Sequence, residues 1–241
     1  MANQPVVLSV PGHAELHLST SSGRLRVTAE DRADVRIEAG APREERIEQD
    51  ATGRIRLTSA RAGSADLELR CPSGTDLVAG TISGKVELEG LFGAVRVTTV
   101  SGDVKVDRAE ELDVRCVSGD IEVERCAGEC LLRTKSGRTK IGSVRDARIS
   151  TISGRILLDE STGTVRAQSV SGAVEVGTQR DGDVAVQTMS GAVRVAVPDG
   201  VRPHTRLRSM TGRPRCECEE GSDCQIAVQS LSGKIEIVCV Q

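Results

Sequence analysis

A Ser-Gly step recurs along this chain at a nearly constant interval. It stands at Ser83-Gly84, Ser101-Gly102, Ser118-Gly119, Ser136-Gly137, Ser153-Gly154, Ser171-Gly172, Ser190-Gly191 and Ser232-Gly233, and Thr211-Gly212 fills the one gap. The first six glycines lie 18, 17, 18, 17 and 18 residues apart. A fixed period of this length means one supersecondary unit stacked on copies of itself, each covering the apolar face of the next.

The unit can be read from the residues around each glycine. Apolar residues follow it at the second and fourth places: Val86/Leu88, Val104/Val106, Ile121/Val123, Ile156/Leu158, Val174/Val176, Val193/Val195 and Ile235/Ile237, with Thr139/Ile141 as the variant. Period-two alternation in β-branched residues marks a strand with one buried face. Half a period on, a second strand carries Val95/Val97, Leu112/Val114, Cys130/Leu132, Ala147/Ile149, Val165/Ala167 and Val184/Val186. Continuing that alternation turns Thr81, Thr99, Cys116, Thr134, Thr151, Ser169, Thr188, Ser209 and Ser230 inward. A column of small polar residues there is expected to pass hydrogen bonds from coil to coil. These signals predict an all-β fold: a single-stranded β-solenoid of the parallel β-helix type, with 17–18-residue coils and two main strands per coil.

Outward positions carry register information. Three places after the glycine the coils bear Glu87, Lys105, Glu122, Lys140, Leu157, Glu175, Arg194, Arg215 and Glu236. The first four alternate in sign, as stacked cross-strand neighbours should. Composition fits a narrow stacked core: the 241 residues hold no Trp, no Tyr and one Phe, Phe92. Stacked Val, Ile and Leu supply the apolar area, at about 1.5–3 kcal/mol per buried side chain.

Residues 1–70 are β-rich but off-period and are expected to form an irregular entry or capping region, ahead of a regular solenoid over residues 71–241. Ser22-Gly23 and Thr52-Gly53 are irregular versions of the repeat turn, and a charged loop lies between Gly40 and Gly53. The Pro72-Ser73-Gly74 entry, the Thr-Ile-Ser-Gly and Thr-Val-Ser-Gly turns, the Gly-x-Val-x-Val strands and the opening Val10-Pro11-Gly12-His13-Ala14-Glu15-Leu16 resemble the bacterial "putative adhesin" family. The resemblance spans nearly the whole chain. It implies a β-strand-repeat domain of unknown function, found in envelope or stress-response contexts, with no catalytic residue to carry over.

Net charge of −3 and the lack of a basic stripe argue against nucleic acid, as does the near absence of aromatics. No stretch is apolar enough to span a membrane as a helix, and the opening residues do not form a secretory signal, so the expected compartment is the cytoplasm. The histidines His13, His17 and His204 lie outside the regular array and suggest no catalytic triad, so no enzyme and no cofactor are expected. A polysaccharide-acting solenoid would need clustered carboxylates and aromatics. Of eight cysteines, Cys71, Cys116, Cys130, Cys216 and Cys224 fall in the inward phase and are expected to be buried, reduced thiols. Cys216, Cys218, Cys224 and Cys239 are the weak metal candidate, with a disulfide as the other possibility.

The expected role is therefore non-enzymatic: a rigid solenoid presenting surfaces to protein partners. The alternative is self-association into a bactofilin-like polymer. Its expected contact is the edge carrying Ile235, Ile237 and Val240, which in sequence order have no later coil to cover them.

Overall fold

The computed structural model describes residues 6–10, 13–39, 47–50, 54–58, 66–179 and 182–240. Thr52-Gly53 and most of the charged loop before it lie outside the described residues. Those described form strands and turns with no helix. The chain divides into two units, Met1–Gly119 and Asp120–Gln241.

The first unit contains β1 (Val6–Ser9), β2 (Glu15–Ser19), β3 (Leu25–Glu30), β4 (Asp34–Ala39), β5 (Ile47–Gln49), β6 (Arg54–Thr58), β7 (Leu67–Pro72), β8 (Asp76–Thr81), β9 (Val86–Thr99) and β10 (Val104–Ser118). The last two each run through a bend and supply both strands of a coil. Pairing is parallel from coil to coil: β6 with β2, β2 with β8, β8 with the second half of β9, and β9 with β10. On the adjoining side β7 pairs with β3, and β3 with the first half of β9. The off-period strands thus share the phase of the regular ones: Leu16 and Leu18 stand beside Leu77 and Ala79, and Leu25 and Val27 beside Val86 and Leu88, all buried. Phe92 is fully buried among them. Antiparallel strands close this stack, β5 on β6, β4 on β7 and β1 on β4.

The second unit contains β11 (Ile121–Ser136), β12 (Thr139–Ser153), β13 (Ile156–Ser161), β14 (Val165–Ser171), β15 (Val174–Gly177), β16 (Val184–Ser190), β17 (Val193–Pro198), β18 (Pro203–Ser209), β19 (Arg215–Cys216), β20 (Cys224–Ser232) and β21 (Ile235–Val240). One side stacks in the order β12, β14, β16, β20, β18 and the other in the order β13, β15, β17, β21, β19, all parallel. Residues 224–240 therefore lie between residues 184–198 and residues 203–216. The first unit is permuted in the same way, since β2 and β3 lie inside β6 and β7.

This order overturns the expected contact edge. Ile235 and Ile237 are fully buried, because β21 has β17 on one side and β19 on the other. Only Val240 of the three is exposed. The permutation also completes the charge pattern. In stacking order the outward column of the second unit reads Glu122, Lys140, Leu157, Glu175, Arg194, Glu236, Arg215. In sequence order Arg194 would have met Arg215. The first unit carries the same device, Glu68, Arg26, Glu87, Lys105, with the Arg26 guanidinium donating to the Glu87 carboxylate at 2.9 Å. Each such pair contributes about 0.2–1 kcal/mol, and like charges in the same place cost a similar amount.

The turn glycines form a column in each unit: Gly23, Gly84, Gly102, Gly119 in the first, and Gly137, Gly154, Gly172, Gly191, Gly233, Gly212 in the second. Each glycine after the first of its column would meet the preceding one's carbonyl oxygen if it bore a Cβ. The small polar column is buried as expected, Thr99, Cys116, Thr134 and Thr151 included, except Ser209 on the outermost coil, which is half-buried. Its bonding differs from expectation. Thr81 and Thr99 accept from the amides of Gly84 and Gly102 at 3.0 and 3.1 Å, so they brace their own turn. A coil-to-coil hydroxyl bond joins Thr20 to Thr81 at 3.3 Å. Thr151, Ser169, Thr188 and Ser230 are buried with no side-chain partner among the described residues. The strands already hold the coils together through their backbones, and these hydroxyls serve chiefly as small fillers.

Candidate interaction surface

The residue after each small polar one must point outward, because strand side chains alternate. In this chain that residue is apolar at nearly every turn. The consequence is a column of exposed hydrophobic side chains where solvent-facing polar residues would be expected. In the first unit it comprises Ile82, Val100 and Val117. In the second, in stacking order, it comprises Ile152, Val170, Met189, Leu231 and Met210, the last 78% exposed. Burial of none of these contributes to the stack.

Two further columns lie beside it on the outward face of β12, β14, β16, β20 and β18. The nearer one is Ser150, Gln168, Gln187, Gln229, Arg208, and the farther one is Arg148, Arg166, Ala185, Ala227, Arg206. The apolar and glutamine columns line a groove of about 820 Å³ that crosses the strands, with Leu207 and Pro214 also in its lining. Its lining contains Arg208 and no histidine, cysteine or carboxylate. These apolar residues were not singled out as a surface from the sequence alone. The signal was available, since Val95, Val97 and Thr99 inward puts Val100 outward.

The four cysteines named as a metal candidate do not converge. Cys218 and Cys239 form a disulfide with Cα atoms 5.7 Å apart, consistent with the neighbouring register of Cys216 beside Ile237. Cys224 is buried and outside any disulfide, and Cys216 is a thiol exposed to solvent. Cys216 stands beside the inward Ile237, but burial was expected of it and it is exposed, because its coil is the outermost of the described stack. Among the described residues no cluster of three or more His, Cys, Asp or Glu side chains is placed to hold a metal ion. The other five thiols, at Cys71, Cys116, Cys126, Cys130 and Cys224, are buried as core residues. Burial pushes the Cys71 thiol up to about 11. No helix of the structure is long and apolar enough to cross a membrane.

Comparison with known proteins gives the fold a context. A putative adhesin from Parabacteroides distasonis superposes with a TM-score of 0.57 at 11% identity, over 98% of this chain and 96% of that one. A putative adhesin from Parabacteroides merdae gives 0.54 at 9% identity, over 98% and 95%. A putative lipid binding protein from Parabacteroides distasonis gives 0.53 at 11% identity, over 98% and 96%. At these identities the likeness concerns the fold. No curated protein matches the chain. Residues 2–213 match the family model described as Toastrack DUF4097.

Proposed function

The chain belongs to the Toastrack DUF4097 family, and within that fold we propose that it works as a non-enzymatic interaction module, holding a protein partner against the groove of its second unit. The observation that carries this reading is the lining itself. Five stacked apolar side chains stand beside a glutamine column, and the lining holds no histidine, cysteine, lysine or carboxylate to act as a general acid or base. His13 and His17 bond to Asp76 and Glu15, both in the first unit.

The glutamines favour a protein over an acyl chain. Gln168, Gln187 and Gln229 repeat at the coil spacing, about 4.8 Å, and each offers a donor and an acceptor. A peptide has backbone groups to meet them; a hydrocarbon chain has none. The neighbour named for lipid binding shares the fold alone. End-to-end polymerisation through β21 loses its structural motive, because Ile235 and Ile237 are covered.

A photo-crosslinking residue placed at Val170 or Met189 tests the reading in the source cell. It should yield one shared protein adduct that the same residue at Glu175, on the other side of the stack, does not give. Identical adduct patterns from all three positions would refute the assignment.

A further inference from the structure

The outermost coil of the second unit leaves a strand edge open. Residues 203–216 form β18 and β19, and each pairs on one side only among the described residues. The amide of Met210 donates to Ser230 and that of Asp223 to the Arg202 carbonyl, so the even-numbered residues of this segment bond towards β20. Alternation along a strand then aims the backbone groups of Thr205 and Leu207 away from the stack. Their side chains occupy the inward phase but are only half-buried, since among the described residues no further coil covers them. An edge of this kind is a template for another strand.

Charge selects among the strands that could pair there. The coil presents Arg206, Arg208, Arg213 and Arg215, all exposed. Among the described residues Arg206, Arg208 and Arg213 make no ion pair, and Arg215 has Glu236 on its inner side only. The alternating column stops on arginine, and its next member would be acidic. A second copy offering the same edge would set arginine against arginine. Pro203 and Pro214 lie on this same coil, at positions an edge strand tolerates.

We propose that the β18 edge receives an extended acidic strand from another protein, whose backbone pairs with Thr205 and Leu207 and whose alternate carboxylates stand over Arg206 and Arg208. This deepens the interaction role proposed above, since Arg208 and Met210 also line the groove. It stands or falls separately from it, because the groove contact is made on the sheet face and this one on the edge.

The probe is a fluorescein-labelled heptapeptide alternating Glu and Val, titrated with the full chain and followed by fluorescence anisotropy. The expected result is saturable binding, no binding of the Lys-Val counterpart, and at least a tenfold loss with the Arg206→Glu/Arg208→Glu variant, which should instead accept the Lys-Val peptide. Methylating alternate backbone nitrogens of the Glu-Val peptide leaves its charge unchanged and should abolish binding by at least one of the two registers. Equal binding of both methylated registers would reduce the contact to charge attraction and overturn strand addition. Sedimentation with phosphatidylglycerol vesicles, without peptide binding, would overturn it in favour of an anionic membrane surface. The Val170→Ser/Met189→Ser variant, which changes the groove without changing its charge, should bind the peptide as well as the parent, which separates this site from the groove.

Discussion

Replacing Gly172 by alanine should be among the most damaging single-methyl changes available to this molecule. The site combines two costs. Its φ of +148° lies where a residue with a Cβ is strained, at about 1–2 kcal/mol. A Cβ would also stand 2.9 Å from the Gly154 carbonyl carbon and 3.1 Å from its nitrogen, with the carbonyl oxygen nearer still. Relief requires the turn to move off its neighbour, although the Gly172 amide is bonded to the Ser190 carbonyl at 3.1 Å on the other side. Overpacking of this sort costs about 1–3 kcal/mol, so the sum is about 2–5 kcal/mol. Two controls divide the terms. Gly74, at φ +79° with open space around its Cβ position, should lose only the backbone part, about 1 kcal/mol. Gly80, with neither positive φ nor a neighbour within 4 Å, should be neutral or gain about 0.4–1 kcal/mol. Urea unfolding followed by circular dichroism gives the three values. Hydrogen exchange should accompany it, because a stack can lose one coil while the others persist. A Gly172→Ala protein as stable as Gly80→Ala would refute the close-approach argument.

Other consequences can be checked together. Arg194→Glu sets a third carboxylate between Glu175 and Glu236 and should cost about 1–2 kcal/mol at low salt, less as salt screens it; an unchanged melting temperature would contradict the stacking order. Glu87 is held below the ordinary carboxylate range first by the Lys85 ammonium and then by Arg26. A depressed folded-state pKa contributes stability that is complete above the unfolded value and lost as pH falls through the folded one, so Glu87→Gln should flatten the acid limb of the stability curve. Maleimide labelling of the native protein should modify Cys216 quickly and the five buried thiols only on unfolding; fast reaction at Cys71 would contradict its placement. Reducing the Cys218–Cys239 bond, with a sequence separation of 21, should cost about 3 kcal/mol by loop entropy and raise hydrogen exchange first in β19 and β21.

Strand phase is legible in this chain because the alternation needs no tertiary information. Val86/Leu88 and Val95/Val97 state their inward face directly, and the structure buries all four. Coil order is a different kind of fact. A repeat identifies which segments can be neighbours, not which are. Discrimination lies in the outward charges, each contributing a fraction of a kcal/mol, and the pairing of Arg194 with Glu236 instead of Arg215 was visible only as a break in the sequence-order alternation. For the same reason Ile235 and Ile237 look uncovered in sequence. The groove was missed for another reason: apolar residues beside a turn resemble core residues until the phase is carried one step further, from Thr188 to Met189 or from Ser230 to Leu231.

The insertion of β20 and β21 between neighbours has a mechanical meaning. In a stack laid down in chain order, tension applied through the last coil unzips one ladder, bond after bond, at low force. Here β21 is gripped by β17 and β19, and β20 by β16 and β18. Tension along β21 must shear two ladders at once, with their hydrogen bonds loaded in parallel. Pulling through this strand should therefore give a rupture force above that of an interior coil exposed by peeling, and the module would behave as a clamp where a simple repeat array would fray.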